Sequence, residues 1–252
     1  MHIITYLFTP KTGHILDGRH IFAKGLHGFL FNVTGQADRG ESDWLHSSGS
    51  PRPFTLVPLY TEEGQLAGIR LSAITERAAT LFQRTGEWFQ KTQRPCHIGG
   101  HEFFISECRV TPGPGWQQLA LSQPAKSMGF HFVSPTAFKQ GPGWLLFPLP
   151  GNVFGSAVRI WEAFAPPMMV LPNDWLDWCT QAVFVVRHNI ETVQVAINQK
   201  EMFTGFVGEA WFEATRADEM QLRAWQALGR LAAFVGIGHK ATMGMGAIEQ
   251  IP

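Results

Sequence analysis

Residues 217–251 carry the sequence ADEMQLRAWQALGRLAAFVGIGHKATMGMGAIEQI, which decides how the chain closes its fold. Apolar residues recur with helical spacing through its first half, and the predicted buried face consists of Met220, Leu222, Trp225, Leu228, Leu231 and Ala232. This spacing predicts a helix over 217–234, and a strand is predicted over 245–251. The chain therefore ends in a helix, a glycine-rich loop and a strand.

The order of predicted elements farther out is nearly the same in both halves of the chain. In the first half, strands are predicted at 3–8, 53–59, 66–72 and 101–111, and helices at 17–35 and 75–93. Along the chain the order is strand, helix, strand, strand, helix, strand. The second half repeats the order more loosely, with strands at 129–134, 182–188, 192–198, 206–214 and 245–251 and helices at 151–165 and 217–234. The strands at 182–188 and 192–198 are expected to pair as a hairpin.

This order is the split βαβ pattern of ferredoxin-like domains. We therefore predict an α+β fold of two tandem ferredoxin-like domains, each βαββαβ and RRM-like, with a cleft between them. Either the stretch Pro112–Gly115 or the following Gln123-Pro124 marks the boundary. The N-terminal domain is placed at 1–121 and the C-terminal domain at 122–252. One large α+β domain is the alternative.

The composition limits the class of protein. Hydrophobic residues make up 45% of the 252 residues, which is enough for one or two cores, and the formal net charge is zero. Zero net charge argues mildly against a large surface for nonspecific nucleic-acid binding, which normally needs a basic face. The ten histidines can nevertheless add positive charge near phosphate. Three scattered cysteines do not form a disulfide framework. We expect a cytoplasmic protein without membrane contact, because no basic leader and no apolar run of membrane length is found.

The glycine-rich loop, residues 236–246, contains two GxG pairs formed by Gly236, Gly238, Gly244 and Gly246. Glycine accepts positive φ and lets a ligand approach the main chain, so backbone N–H groups here are expected to cradle phosphates beside His239 and Lys240. A flexible helix-to-strand connection is the alternative, although four glycines at this spacing are not routine. A dinucleotide site is excluded, because its glycine fingerprint follows a strand and precedes a helix, whereas a helix precedes this loop.

Three other segments complete a resemblance to one family. They are Phe130–Phe138 with its Ser134-Pro135 pair, Phe203–Gly208, and Trp44-Leu45-His46 followed by Pro53-Phe54-Thr55. With the glycine-rich loop, they make the chain similar to the CRISPR-associated repeat-processing endoribonucleases, members of a superfamily of repeat-associated RNA-binding proteins with tandem ferredoxin-like domains. The similarity spans both halves of the chain, and the glycine-rich loop is its most specific element.

The resemblance implies a reaction that needs no metal or other cofactor. The 2′-hydroxyl of the RNA attacks the adjacent phosphate and leaves a 2′,3′-cyclic phosphate and a 5′-hydroxyl. His46 falls where the family carries its active-site histidine, and imidazole can act as acid or base near neutral pH. Arg52 falls where the family often has a lysine, and its guanidinium can stabilise charge on the phosphate.

Phe31 departs from the family, because some members carry a tyrosine on the first helix and phenylalanine exchanges no proton. His20, Lys24, His27 and Phe31 share one stripe of the predicted helix. His27 or His20 is therefore expected to take the vacant role as an auxiliary catalytic residue. A solvated helix face is the alternative.

Candidates for RNA contacts outside the loop are Lys126, His131, Lys139, Arg159, Arg187 and His188. Each is equally explained as a solvated surface charge. The resemblance implies CRISPR repeat RNA in a precursor transcript as partner, with a CRISPR effector complex as a further partner and a monomer or homodimer as the assembly. Cys96, His97, His101 and Cys108 follow no standard zinc spacing and are expected to be structural.

Two other functions stay open at this point. One is a non-catalytic guide-RNA-binding subunit of a CRISPR effector complex, which Phe31 in place of tyrosine favours. The other is a ferredoxin-like protein that binds a small molecule, for which the zero net charge is the only support.

Overall fold

The computed structural model describes residues 1–11, 16–18 and 21–251. Its strands are β1 (His2–Pro10), β2 (Phe54–Tyr60), β3 (Leu66–Ala73), β4 (Cys96–Ile98), β5 (His101–Pro112), β6 (Ser127–Thr136), β7 (Phe138–Gln140), β8 (Gly143–Leu145), β9 (Val183–Ala196), β10 (Met202–Ala214) and β11 (Ile248–Ile251). Its helices are α1 (Ala23–Ala37), α2 (Arg39–Ser47), α3 (Glu76–Thr92), α4 (Trp116–Ala120), α5 (Pro150–Phe164), α6 (Trp175–Ala182) and α7 (Glu219–Val235). A 3₁₀ turn covers Ala241–Met243.

The chain divides into two compact units. The first comprises Met1–Gly113, Ala196–Met202 and Thr242–Gly244, and the second comprises Pro114–Val195, Phe203–Ala241 and Met245–Pro252. The first unit thus includes three residues of the glycine-rich loop. That residues 1–121 and 122–252 are separate domains stays a prediction.

The first unit is built on a five-stranded antiparallel sheet with the order β2-β3-β1-β5-β4. Without the short edge strand β4, this is the order of a ferredoxin-like sheet. Strand β1 lies in the middle, where Tyr6 pairs with Ile69 of β3 and with Cys108 of β5. Helices α1 and α3 pack against each other, and α3 packs on β1 and β5. The side chains of Tyr6 and Phe82 are fully buried in the core, and the Tyr6 hydroxyl donates to the Phe82 carbonyl.

The second unit has a four-stranded sheet with the order β11-β6-β10-β9, which is again the ferredoxin-like order. Helices α5 and α7 pack against each other, and their apolar faces supply Phe154 and Trp225 to an aromatic core with ring centroids 5.8 Å apart. A two-stranded hairpin, β7–β8, is inserted between β6 and α5. The predicted α+β fold with tandem ferredoxin-like order is confirmed.

Two predicted elements differ in the structure. The hairpin predicted from 182–188 and 192–198 is wrong, because those residues form the single strand β9, which pairs with β10 around a turn closed by Ile197 N–H donating to Glu201 O at 2.8 Å. Pairing with a long neighbouring strand outweighs the local polar break. The predicted buried position of Met220 is also wrong, since its side chain is 65% exposed.

Helix α1 begins at Ala23 rather than at Asp17. Asp17 instead pairs with Gln65 in an isolated bridge, and the N–H of Lys24 in the first turn donates to Ile197 O at 3.1 Å. A contact distant in sequence therefore fixes where this helix starts. Among the described residues, none of the helices is both long and apolar enough to span a bilayer.

Candidate active site

Helix α2 presents the predicted catalytic histidine and is fixed by several contacts within the first unit. Asp38 caps its start by accepting from Glu41 N–H at 3.0 Å, and Leu45 is fully buried. The hydroxyls of Thr34 and Ser42 lie 3.1 Å apart and join α2 to α1. The sequence pattern places His46 after the first helix and does not predict a second helix there. The added helix gives His46 a defined position on a packed element.

A second contact ties α2 to α3. Arg77 donates to both carboxylate oxygens of Glu41, at 2.8 and 3.0 Å, and its guanidinium lies 4.0 Å from the Trp44 ring centroid. The hydrogen bond from Arg77 holds the pKa of the Glu41 carboxyl below its ordinary value. Contacts with α1 and with α3 thus hold helix α2 in place, while the His46 imidazole is exposed.

Phe31 lies at the centre of the candidate site. Its ring centroid is 5.3 Å from that of His46, 4.9 Å from that of His27 and 5.9 Å from the Arg52 guanidinium carbon. The structure therefore brings together three of the four residues predicted to be catalytic. His20 lies outside the described residues. The predicted stripe keeps its geometry only from Lys24 onward, because α1 begins at Ala23.

Arg52 contacts the C-terminal turn of α2. Its Nη1 donates to Leu45 O at 2.6 Å, to His46 O at 3.0 Å and to Ser48 Oγ at 3.4 Å. Carbonyl groups in the last turn of a helix lack partners within the helix, so a guanidinium is well suited to satisfy them. In this structure, Arg52 positions the backbone of His46.

His27 has an orientation set by the glycine-rich loop. Its Nδ1 lies 3.0 Å from the carbonyl oxygen of Thr242, 215 positions away in sequence. A carbonyl oxygen only accepts, so Nδ1 carries the proton, and in the neutral imidazole Nε2 is the unprotonated nitrogen. Gly244 follows in the same segment with φ of +93°, and a Cβ there would lie 3.0 Å from Pro58 Cδ. The Thr242 carbonyl was not predicted, because nothing in sequence connects it to α1.

All four glycines of the loop have positive φ, at +71° for Gly236, +79° for Gly238, +93° for Gly244 and +72° for Gly246. A Cβ at Gly246 would lie 1.8 Å from Ile237 O, and one at Gly238 would lie 2.7 Å from Ala137 O. The backbone conformation and the close main-chain packing therefore both require glycine. In this conformation, main-chain packing at Gly238 and Gly246 holds both ends of the loop.

The backbone N–H groups at both ends of the loop are already used. Ile237 N–H donates to Gly246 O, Gly246 N–H to Pro135 O, and Gly238 N–H to Ser156 Oγ, at 2.8, 3.1 and 3.2 Å. These donors are not available to phosphate while the loop keeps this conformation, which differs from the predicted cradle of glycine N–H groups. The exposed imidazole of His239 and the left-handed Lys240, with φ of +62°, lie between the two GxG pairs.

The motifs of the second unit pack on one another. Ser134 Oγ accepts from Ala247 N–H at 2.8 Å, so the Ser134-Pro135 pair holds the end of the loop. A Cβ on Gly205 would lie 2.7 Å from Thr136 N, so the segment Phe203–Gly208 needs its glycine to approach the same pair. Segments far apart in sequence thus depend on one another in space.

The remaining predicted RNA contacts fall at different places in the second unit. Arg159 donates to Ser156 Oγ at 3.3 Å, which puts it one hydrogen bond from Gly238. Lys139 Nζ lies 4.8 Å from the Trp144 ring centroid, and that ring lies 4.7 Å from the His239 ring. Lys126 precedes β6, whereas the loop contacts the far end of that strand, so it is not brought to the loop. Trp144 and Ser156 were missed, because neither residue type carries a signal in sequence.

Among the cysteines, Cys96 and Cys179 are buried and Cys108 is half-buried. Burial raises the pKa of Cys96 and of Cys179 to about 12 and that of Cys108 to about 11. Within 1–11, 16–18 and 21–251, no three side chains of histidine, cysteine, aspartate or glutamate converge as metal ligands would.

Comparisons with known proteins agree with this architecture. Residues 130–248 match the family model of the CRISPR-associated endoribonuclease Cas6. No curated protein matches the chain in sequence. The fold resembles that of a Cas6, TTHB231, in a product complex, with a TM-score of 0.80, 24% identity and coverage of 100% of this chain and 99% of that chain. Another structure of TTHB231, described as the Cas6 of Thermus thermophilus, is similar with a TM-score of 0.71 and 22% identity over 99% of this chain and 98% of that chain.

Two further solved structures are similar over their whole lengths. A Cas6 named TTHA0078, also in a product complex, has a TM-score of 0.79 and 21% identity and covers 100% of both chains. A Cas6-related protein from Pyrococcus furiosus has a TM-score of 0.59 and 12% identity, with coverage of 99% and 98%. The chain is thus similar to the CRISPR-associated endoribonuclease Cas6 in sequence over residues 130–248, and its whole fold resembles that of solved Cas6 structures.

Proposed function

We propose that this protein is an endoribonuclease that cuts CRISPR repeat RNA in precursor transcripts by internal transesterification, without a metal. A base takes the proton from a 2′-hydroxyl, whose oxygen attacks the adjacent phosphorus. The bond from phosphorus to the 5′-oxygen breaks, and an acid gives that oxygen a proton. One RNA fragment ends in a 2′,3′-cyclic phosphate and the other begins with a 5′-hydroxyl, and such cuts release the mature guide RNAs.

One observation carries the proposal, namely the placement of His27, His46 and Arg52 around Phe31. Each imidazole contacts the Phe31 ring, with ring centroids 4.9 and 5.3 Å apart, and we infer that the two act on opposite sides of one phosphodiester. Such an arrangement supplies both a base and an acid, each worth roughly 10²–10⁴-fold in rate. Phe31 packs against both imidazoles and takes no part in proton transfer.

The roles follow from the hydrogen bond to Thr242. Because His27 Nδ1 donates to a carbonyl at 3.0 Å, its Nε2 is the nitrogen that can accept the 2′-hydroxyl proton. The imidazolium that forms keeps the same hydrogen bond, now strengthened by charge. His46 is left as the acid for the 5′-oxygen. Arg52 stabilises charge on the phosphate through guanidinium N–H groups other than those of Nη1, which contact the end of α2.

Similar proteins support RNA as the substrate class. Two of the Cas6 structures are described as product complexes, and a TTHA0078 structure as a substrate mimic complex. Another similar structure, with a TM-score of 0.60, is described as a RAMP protein binding different RNA substrates. Contacts with a CRISPR effector complex and a monomeric or homodimeric state stay predictions.

A non-catalytic guide-RNA-binding subunit is the second candidate, and Phe31 is the observation that favours it. The side chain at the centre of the site carries no exchangeable proton, so cleavage here depends on the two histidines alone. The two candidates predict the same RNA binding and differ in whether the RNA is cut.

The test is cleavage of the repeat RNA in EDTA by the wild type, His46→Ala and His27→Ala. His97→Ala serves as the control, because His97 is an exposed histidine of the first unit on the edge strand β4. A matched RNA has a 2′-deoxy sugar at the cut site. We expect the wild type and His97→Ala to cut in EDTA, and both site variants and the deoxy RNA to lose at least roughly a hundredfold in rate while binding persists. Cleavage that requires a divalent metal, or that continues on the deoxy RNA, would rule out the mechanism. Tight binding without any cleavage by the wild type would favour the guide-RNA-binding subunit.

A further inference from the structure

We propose that Trp144, with Lys139 and His239, forms a platform in the second unit on which an unpaired base of the RNA stacks. This inference rests on the proposed function, since it names a further part of the RNA that the protein would bind. No motif in the sequence singled out Trp144. Its position on the inserted hairpin is what brings it to the glycine-rich loop.

The β7–β8 hairpin holds Trp144 away from the core. Phe138 faces inward, is 4% exposed and lies 6.2 Å from the Phe206 ring, so it anchors the hairpin. Successive side chains of a strand point to opposite faces, and Lys139 is paired directly with Trp144 across the hairpin. Both therefore face outward, and Trp144 is 44% exposed. Trp144 packs edge-to-face on Phe203, with ring centroids 6.3 Å apart, and the exposed part of its ring presents an aromatic surface.

The loop adds a second aromatic ring beside this face. His239 N–H donates to Ala137 O at 3.0 Å, and Ala137 is followed directly by the hairpin. A side chain at Gly238 would meet that same carbonyl at 2.7 Å, so glycine permits the approach. As a result, the His239 ring lies 4.7 Å from Trp144 and is stacked at 25° to Phe203, 6.5 Å away.

The chemistry of the cluster fits a nucleobase joined to a phosphate. Tryptophan offers a π-face to any base, and Lys139 Nζ lies 4.8 Å from the ring centroid, held otherwise by a 3.5 Å contact to Pro142 O. Lysine is flexible and keeps its charge when it swings from the ring to a phosphate. A base within a duplex has both faces covered by its neighbours, so the platform fits a base that is not paired.

The experiment measures the affinity of the wild type, Trp144→Leu and Trp144→Phe for the repeat RNA. Phe184→Leu is the matched control, because Phe184 is a 50% exposed aromatic residue of the same unit on β9. A set of RNAs carries one abasic nucleotide at each unpaired position in turn. We expect Trp144→Leu to weaken binding on the order of ten- to a hundredfold, Trp144→Phe to keep most of the affinity, and Phe184→Leu to bind like wild type. One abasic RNA should bind equally weakly to wild type and to Trp144→Leu. Lys139→Gln should lower the dependence of log affinity on log salt by about 0.7.

The outcomes separate this inference from the proposed function. If the wild type cuts the RNA and Trp144→Leu binds it as tightly as the wild type, the platform is wrong and the proposed function stands. If Trp144→Leu weakens every abasic RNA by the same factor as the intact RNA, the residue supports the hairpin and stacks on no base, which also overturns the platform. If the wild type neither binds nor cuts repeat RNA, both fail together.

Discussion

Replacing Gly244 with alanine is predicted to slow RNA cleavage far more than the same change at Gly100, at a similar cost in stability. Both glycines have positive φ, at +93° and +84°, and alanine in that region costs about 1–2 kcal/mol. A Cβ at Gly100 meets nothing within 4 Å, whereas one at Gly244 lies 3.0 Å from Pro58 Cδ. Relief of this contact moves either the Pro58 ring or the 3₁₀ turn Ala241–Met243 by a few tenths of an ångström, and we expect the turn to move and to carry the Thr242 carbonyl with it.

The size of the effect follows from the hydrogen bond that is lost. His27 becomes positively charged when it accepts the 2′-hydroxyl proton, and a hydrogen bond to a charged group contributes about 1.5–3 kcal/mol. Losing it in the transition state corresponds to roughly a ten- to 150-fold lower rate. Without the carbonyl, the imidazole can also rotate about its Cβ–Cγ bond and adopt the other tautomer, which adds to the loss of rate and leaves RNA affinity unchanged.

The assay is single-turnover cleavage with enzyme in excess over RNA, across a pH series, with thermal unfolding of both variants as the measure of stability. We expect Gly100→Ala to cut like the wild type, and Gly244→Ala to bind RNA normally, to cut slowly and to have a changed pH profile. Equal rates for the two variants, or a slow Gly244→Ala whose pH profile matches the wild type, would refute the role of the Thr242 carbonyl.

Three further predictions test other parts of the structure. Arg52→Lys keeps the positive charge but cannot reproduce the planar guanidinium contacts to the end of α2. We therefore expect the free energy of unfolding to fall by about 1 kcal/mol and cleavage to slow at unchanged RNA affinity. A variant that cuts at the wild-type rate would contradict the positioning role of Arg52. Gly246→Ala places a Cβ 1.8 Å from Ile237 O at φ of +72°, so denaturant unfolding should show a loss of about 2–5 kcal/mol, against about 1–2 kcal/mol for Gly141→Ala, which has positive φ and open space. Burial raises the pKa of the Cys96 and Cys179 thiols to about 12, so alkylation of the folded protein at pH 9 should be slow and that of the unfolded chain fast. The unfolded chain releases these protons near its ordinary pKa of 9.0 while the folded protein keeps them, so the free energy of unfolding should fall as pH rises from about 9 toward 12; a constant free energy over that window would contradict the burial.

The fold was predictable to the extent that its elements are locally amphipathic. Helices α3, α5 and α7 lie close to where their apolar spacing placed them, and the order of paired strands follows from the same patterns. Helix α2 was not predicted, because RGESDWLHS is mostly polar and is helical only through its Asp38 cap and its packing on α1 and α3. Strand β9 was predicted as two strands, because its polar residues interrupt the alternation of apolar and polar side chains. In the structure the whole segment pairs with β10 as one strand.

The candidate site was predictable in part from the family resemblance. That resemblance pointed to His46 and Arg52, and the helical stripe pointed to His27, all of which lie around Phe31. No local pattern marks Trp144 as exposed or Ser156 as a partner of the loop, because whether a side chain is covered depends on elements distant in sequence. Their roles stay proposals that the binding experiments test.

The sequence by itself determined the α+β class, the doubled order of strands and helices, and the presence of four glycines in the loop. Local periodicity and backbone sterics are properties of neighbouring residues, so they can be read without a structure. Only the tertiary structure decided which nitrogen of His27 carries the proton and where α1 begins, because both depend on carbonyl groups more than 150 positions away, those of Thr242 and Ile197. A hydrogen bond depends on the distance between two atoms in space, and the number of residues between them along the chain does not reveal that distance.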